Sequence, residues 1–117
     1  MKVREIITVL EAELLTGNEN LDLDIQCGCG ADLMSDVMAY VKERVVLLTG
    51  LVSPQVIRTA EMMDIQVVVF VRGKEVPAGI IDLAKEKGIV VLQTKHPLFI
   101  ACGILYSAGI TGRGVWN

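Results

Sequence analysis

The sequence has no cluster of lysine and arginine and no apolar stretch of membrane-spanning length. Its 11 Lys and Arg against 14 Asp and Glu leave a formal charge of −3, the wrong balance for a face that binds a phosphate backbone. The apolar run Val67–Val71 is far too short to cross a bilayer. The opening residues Met1-Lys2-Val3-Arg4-Glu5, with Glu11 and Glu13 close behind, lack the uninterrupted apolar core of a secretion signal. Three cysteines are too few and odd in number for a secreted disulfide framework. These absences point to a cytoplasmic protein that partners neither nucleic acid nor membrane. Familiar catalytic apparatus is missing too. No Gly-x-x-x-x-Gly-Lys-Ser/Thr loop occurs, and Gly28-Cys29-Gly30 supplies only the first half of a Gly-x-Gly-x-x-Gly fingerprint. His96 is the sole histidine, and it precedes Pro97, where a cap or loop role suits it as well as a base. Asp32 and Asp36, one helical turn apart, more simply cap and solvate a helix start. Without an assembled nucleophile, base and orienting group, the chain reads as a non-enzyme.

What is present is an apolar, regularly punctuated chain. Its 117 residues fit one domain, and 52% of them are hydrophobic. In a small domain that excess implies buried parallel strands, an apolar interface between subunits, or both, so a homodimer is expected. Residues 3–11 carry Val3, Ile6, Ile7 and Leu10 at helical spacing. Glu13–Thr16 reads as a short strand closed by turn formers at 17–20. Leu21, Leu23 and Ile25 alternate with Asp22, Asp24 and Gln26, the period of a half-buried strand, which then runs into a loop at Cys27-Gly28-Cys29-Gly30. Asp32 is placed to cap a helix with the stripe Leu33, Met34, Val37, Met38 and Val41. Three strand-helix units follow at roughly 22-residue spacing. The strands are Val45–Leu48, Gln66–Val71 and Ile89–Leu92. Their helices open at Ser53-Pro54, Pro77 and Pro97, the second ending at Gly88. Apolar runs rather than alternation mean that both sheet faces are covered. The expected fold is a single α/β domain of repeated strand-helix units, a largely parallel sheet flanked by helices, over residues 1–107, with a tail at 108–117.

Ligands of parallel sheets sit beyond the carboxyl ends of strands, where loop amides and helix N-termini converge. The segments there are Cys27–Asp32, Thr49–Ser53, Arg72–Glu75 and Gln93–His96. From them we take Gly28, Gly30, Asp32, Thr49, Gly50, Ser53, Arg72, Gly73, Thr94 and His96 as candidate ligand-binding residues, with Lys74 and Lys95 nearby. A small anion, or a phosphate-bearing metabolite, suits such an edge. The plainer reading is that such loops are short and rich in turn formers in any α/β fold. Cys27 and Cys29 fall on one face of an extended chain and, with Cys102 and His96, would give four metal donors. The usual knuckle has two intervening residues rather than one, and no second pair exists. Cys102 also lies on the apolar face of the last helix, so structural cysteines are the better reading. No cofactor is implied.

Several segments, in order and spacing, carry a family resemblance: Lys2–Ile7, Ala12–Gly17, Asp32–Ala39, Gln66–Lys74, Ala84–Thr94 and Phe99–Tyr106. Over about residues 1–107 the chain resembles the DRTGG domain. The resemblance implies an α/β fold like the N-terminal domain of HPr kinase/phosphorylase. It also implies a regulatory, dimer-forming part of the kind fused to phosphotransacetylases and to pyrophosphatases with CBS domains, in which the catalytic machinery and adenine-nucleotide binding lie elsewhere. Stand-alone versions resemble small proteins encoded near iron-only hydrogenases. The expected function is a non-catalytic, homodimeric regulatory or ligand-sensing module for a small anionic metabolite. The alternative is an accessory or adaptor protein of a redox enzyme system.

Overall fold

Three short runs dominated by valine and leucine form the middle of the sheet because such side chains pack well on a pleated surface buried on both sides. The computed structural model describes residues 1–40 and 44–112. Its strands are β1 (Glu13–Thr16), β2 (Cys27–Gly30), β3 (Val45–Thr49), β4 (Val67–Phe70) and β5 (Val90–Gln93), and its helices α1 (Val3–Leu10), α2 (Met34–Tyr40), α3 (Pro54–Met62), α4 (Ala78–Lys87) and α5 (Leu98–Ser107). The spatial order is β1-β5-β4-β3-β2. The strands β2 to β5 are parallel and β1 lies antiparallel on the β5 edge. The α/β reading with a largely parallel sheet is thereby established.

Alternation along the strands divides the core in two. Val45, Leu47, Val68, Phe70 and Val91 pack beneath α2, α3 and α4. Val46, Leu48, Val67, Val69, Val90 and Leu92 pack beneath α1 and α5. All of these strand residues are essentially inaccessible to water. Each such side chain contributes about 1.5–3 kcal/mol relative to exposure. The helix signals act as the sequence suggests: Ser53 Oγ accepts from Gln55 N at 3.2 Å, with Pro54 opening α3, and Gly88 ends α4 in the left-handed conformation.

Three local readings change. The alternating segment Leu21–Gln26 is half-buried but begins as a turn at Leu21 and Asp22 and does not join the sheet. Its carbonyls instead accept from the free amides of the first turn of α1, Val3 N to Leu23 O at 3.1 Å and Arg4 N to Leu21 O at 3.0 Å. The sheet strand is the following Cys-Gly-Cys-Gly, which the sequence presents as a loop. Glycines within a strand mark close approach of another element, and here that element is α5: a Cβ at Gly30 would lie 2.6 Å from Cys102 Sγ. Of the stripe expected for α2, Met34 and Val37 are buried, Met38 is exposed, Leu33 is exposed and precedes the helix, and Val41 lies outside the described residues. Ile110 is buried, and Gly28 N donates to Thr111 O at 2.9 Å, so close packing continues beyond residue 107. No helix among the described residues is long and apolar enough to cross a membrane.

Candidate functional site at the carboxyl edge of the sheet

The ten candidate residues fall into four groups. Gly28 and Gly30 lie inside β2 rather than after it. Their α-carbons face α5, where with Leu48, Cys102 and Ile110 they border a small apolar cavity of about 190 Å³. They are therefore not part of the post-strand loops.

Asp32, Thr49 and Gly50 form a hydrogen-bonded knot. Asp32 does not cap α2; its Oδ1 turns back to accept Gly50 N at 2.7 Å and Thr49 Oγ1 at 3.2 Å. Thr49 Oγ1 in turn accepts Leu51 N at 3.1 Å. A carboxylate bonded to an amide is the stronger arrangement, and it fixes the turn between β3 and α3. Ser53 is likewise occupied, by its own helix cap.

Arg72 is different. Its backbone is left-handed, with φ +67°, and Gly73 follows at +63°. Arg72 N donates to His96 O at 2.8 Å and Gly73 N to Thr94 O at 2.9 Å, fastening the turn after β4 to the turn after β5. The Arg72 guanidinium lies flat against Gly50, where an added Cβ would meet Nη2 at 2.5 Å. A side chain at position 50 would push this exposed guanidinium aside. Among the described residues that guanidinium has no ion pair or hydrogen bond. Lys74 Nζ donates to Gly50 O at 2.7 Å on the same turn. Two cations thus converge on Gly50, in the turn that leads from β3 to α3.

Gly73, Thr94 and His96 line a second cavity of about 370 Å³, closed by Leu10, Glu11, Glu13, Gln93 and Lys95. Thr94 is buried and committed: its Oγ1 donates to Leu10 O at 2.8 Å and accepts His96 N at 3.4 Å. His96 Nε2 lies 3.7 Å from Glu11 Oε1. Gln93 Nε2 donates to Lys74 O, tying the turn after β4 to the end of β5. Glu11 and Glu13 line this cavity and are not among the ten candidates read from the sequence. They reach this edge because β1 is antiparallel, so that its amino end meets the carboxyl ends of its neighbours. Nothing local in the sequence marks that pairing.

The cysteines do not converge. Cys27 and Cys29 pack under the α2–α3–α4 layer and Cys102 under the α1–α5 layer, on opposite faces of the sheet. Burial pushes the Cys29 and Cys102 thiols above their ordinary value, with a smaller contribution to Cys29 from Cys102 and Asp36. Both thiols are thereby kept protonated and weakly nucleophilic.

A solved structure with similar architecture is that of the CBS and DRTGG domains of the regulatory region of Clostridium perfringens pyrophosphatase, complexed with its activator diadenosine tetraphosphate. It superposes with a TM-score of 0.78 at 18% identity, over 97% of this chain and 50% of that one. The present chain thus spans about half of that region, and the likeness is one of fold. No curated protein matches the sequence significantly. The family model of the DRTGG domain matches residues 5–106, nearly the full length, and the chain belongs to the DRTGG domain family.

Proposed function

We propose that this chain is a non-catalytic regulatory module that binds a small anionic metabolite at the carboxyl edge of its sheet. The observation that carries the reading is the Arg72 guanidinium. It is an exposed cation lying against Gly50 on a left-handed backbone, with Lys74 on the carbonyl of the same glycine and no ion pair or hydrogen bond among the described residues. Residues held in costly backbone conformations cluster at ligand sites, although Glu11, Arg44 and Asp64 share the left-handed region in this chain. Membership of the DRTGG family supports a regulatory role, as does the likeness to a pyrophosphatase regulatory region that was solved with an activator. Thermal unfolding with inorganic phosphate, citrate, ATP and diadenosine tetraphosphate tests the reading. A ligand at one hundred times its Kd adds about 2.7 kcal/mol, several degrees in Tm for a domain of this size. If none of these anions raises Tm, the sensing role fails.

A second reading, action through protein contacts as a homodimer or as an adaptor in a redox enzyme system, has its own support. Phe99 is 84% exposed and Tyr106 71% exposed on α5, and Phe99 and Ile100 border an apolar groove with Val9 of α1. Light scattering of the wild type and of Phe99→Asp tests it. A monomer in both cases removes the homodimer, and native co-purification with hydrogenase-type subunits is the outcome that the adaptor role requires.

A further inference from the structure

Helix α5 has no charged side to offer to water. From Pro97 to Gly112 the chain carries no charged residue. Ala101 and Leu105 are buried, while Phe99, Ile100 and Tyr106 are exposed on the outer side. A helix that is apolar nearly all round belongs in a buried setting, so the outer face of α5 calls for a cover.

The relief of that face fits a second copy of itself. Phe99, 84% exposed, stands as a knob near the amino end. One turn further on, Gly103 has nothing within 4 Å of the place where a Cβ would be. Gly103, Ser107 and Ala108 are the small residues of the groove between α5 and Val9 of α1. Phe99, Gly103 and Ser107 follow at four-residue steps, so they lie along one side of the helix at intervals of about 6 Å.

Knob and hole coincide twice when two α5 helices lie antiparallel about a two-fold axis at Gly103. Phe99 of each copy then falls at Ser107 of the other, and Tyr106 at Ile100. This is the self-complementarity that an isologous contact requires. Glycine at the crossing allows the helix axes to approach to the lower end of the usual range of about 8–10 Å. Neither face carries charge, so the pairing sets no like charges together. A buried aromatic removes about 150–250 Å² from water, and the four aromatics of such a pair supply roughly half of the area at which stable interfaces begin, about 1,200 Å². Ile100 and the groove walls add to it.

We propose that α5 pairs antiparallel with α5 of a second copy of this chain, crossing at Gly103 with Phe99 seated in the other copy's groove. This inference rests on the homodimer of the second reading above and assigns its interface.

The test follows the full chain by light scattering over a range of concentrations, and by non-reducing electrophoresis after mild oxidation with diamide. Gly103→Cys, at a position with open space, should give a disulfide-linked dimer, because the two positions meet at the axis. Ser107→Cys should not, because its two copies lie about 12 Å apart along the helices, beyond the roughly 7 Å limit for a disulfide. The wild type, with its own three cysteines, is the baseline for both. Phe99→Asp should be monomeric at concentrations where the wild type is a dimer. A wild-type dimer in which Gly103→Cys links no better than the baseline places the two-fold on another face, so the interface is overturned and the homodimer stands. Efficient linking through Ser107→Cys would mean parallel helices and would overturn the geometry as well. A wild type that is monomeric throughout removes both the interface and the homodimer.

Discussion

Cys102 Sγ fills the space in which a side chain on Gly30 would begin, 2.6 Å from a Cβ built there. The edge strand therefore sets how close α5 can lie. Gly30→Ala should destabilise the fold by about 1–3 kcal/mol through overpacking. Cys102→Ala alone removes a half-buried sulfur and should cost less. The double variant should recover most of the Gly30→Ala loss, because the clash has a single source. Urea denaturation of the four proteins measures this coupling, and strict additivity would show that Gly30 is tolerant and the contact incidental.

The same packing governs thiol chemistry. Burial raises the pKa of Cys29 and Cys102 from 9.0, so at pH 8 each carries less thiolate than an open cysteine. Alkylation by iodoacetamide should be slower in the native protein than in urea at both positions. Reaction at the rate of a free thiol at either position would reveal an activated cysteine and reopen a redox role.

Much of the fold was legible, for identifiable reasons. The runs at β3, β4 and β5 are apolar on both faces, and Ser53-Pro54 and Gly88 punctuate their helices, so the parallel core follows from local pattern. The N-terminal third was harder. The alternation of Leu21, Leu23 and Ile25 correctly marks alternating burial, but not a strand: Leu21 and Asp22 form a turn, and the apolar side chains pack beside α1 rather than in the sheet. Gly28 and Gly30 looked like loop residues because their role is to lack side chains beneath α5, a tertiary reason with no local signature. At the edge, Arg72, Gly73 and His96 followed from the rule about carboxyl ends. Thr49, Ser53 and Thr94 followed the same rule, yet their hydroxyls are spent on the protein's own turns. Glu11 and Glu13 escaped because strand direction is decided by pairing across the sheet.

Asp22 accepts a hydrogen bond from Arg4 Nε at 2.9 Å. That bond, and then the charge of Arg4, hold the carboxyl below its ordinary 3.8. A depressed folded-state value means that the contribution is complete above the unfolded value and is lost as pH falls through the folded one. Tm should therefore hold from neutrality down to about pH 4 and then decline. Asp22→Asn should flatten the part of that decline owed to this pair. Both groups are fully exposed, so the effect should be small and weaken further in salt. An unchanged acid limb in Asp22→Asn would mean that the pair contributes nothing.

Thr59 lies on the buried face of α3 with its Oγ1 lacking a hydrogen-bond partner among the described residues. An unpaired buried hydroxyl costs about 1–3 kcal/mol. Valine has the same shape without that cost, and its slightly stiffer helical rotamer offsets only a few tenths of a kcal/mol. Thr59→Val should raise stability by about 1 kcal/mol, read from the urea midpoint at unchanged slope. A loss of stability would imply a buried water or other partner at the hydroxyl.

Arg72 separates stability from function most cleanly. An L-residue in the left-handed region costs roughly 1–2 kcal/mol. Glycine removes that cost but gives back about 0.5–1 kcal/mol in unfolded-chain entropy. The balance for Arg72→Gly is therefore a stability equal to or slightly above that of the wild type. If the guanidinium is there for a ligand, the same variant should lose the Tm response to phosphate. Arg72→Lys should keep the backbone cost and part of the response, since an ammonium retains the charge without the planar fork. A variant that is as stable as the wild type and responds equally to phosphate would place the anion elsewhere on the edge. A variant that is markedly less stable would show that Arg72 holds the turn over Gly50 by packing, and that its unusual backbone serves the fold rather than a ligand.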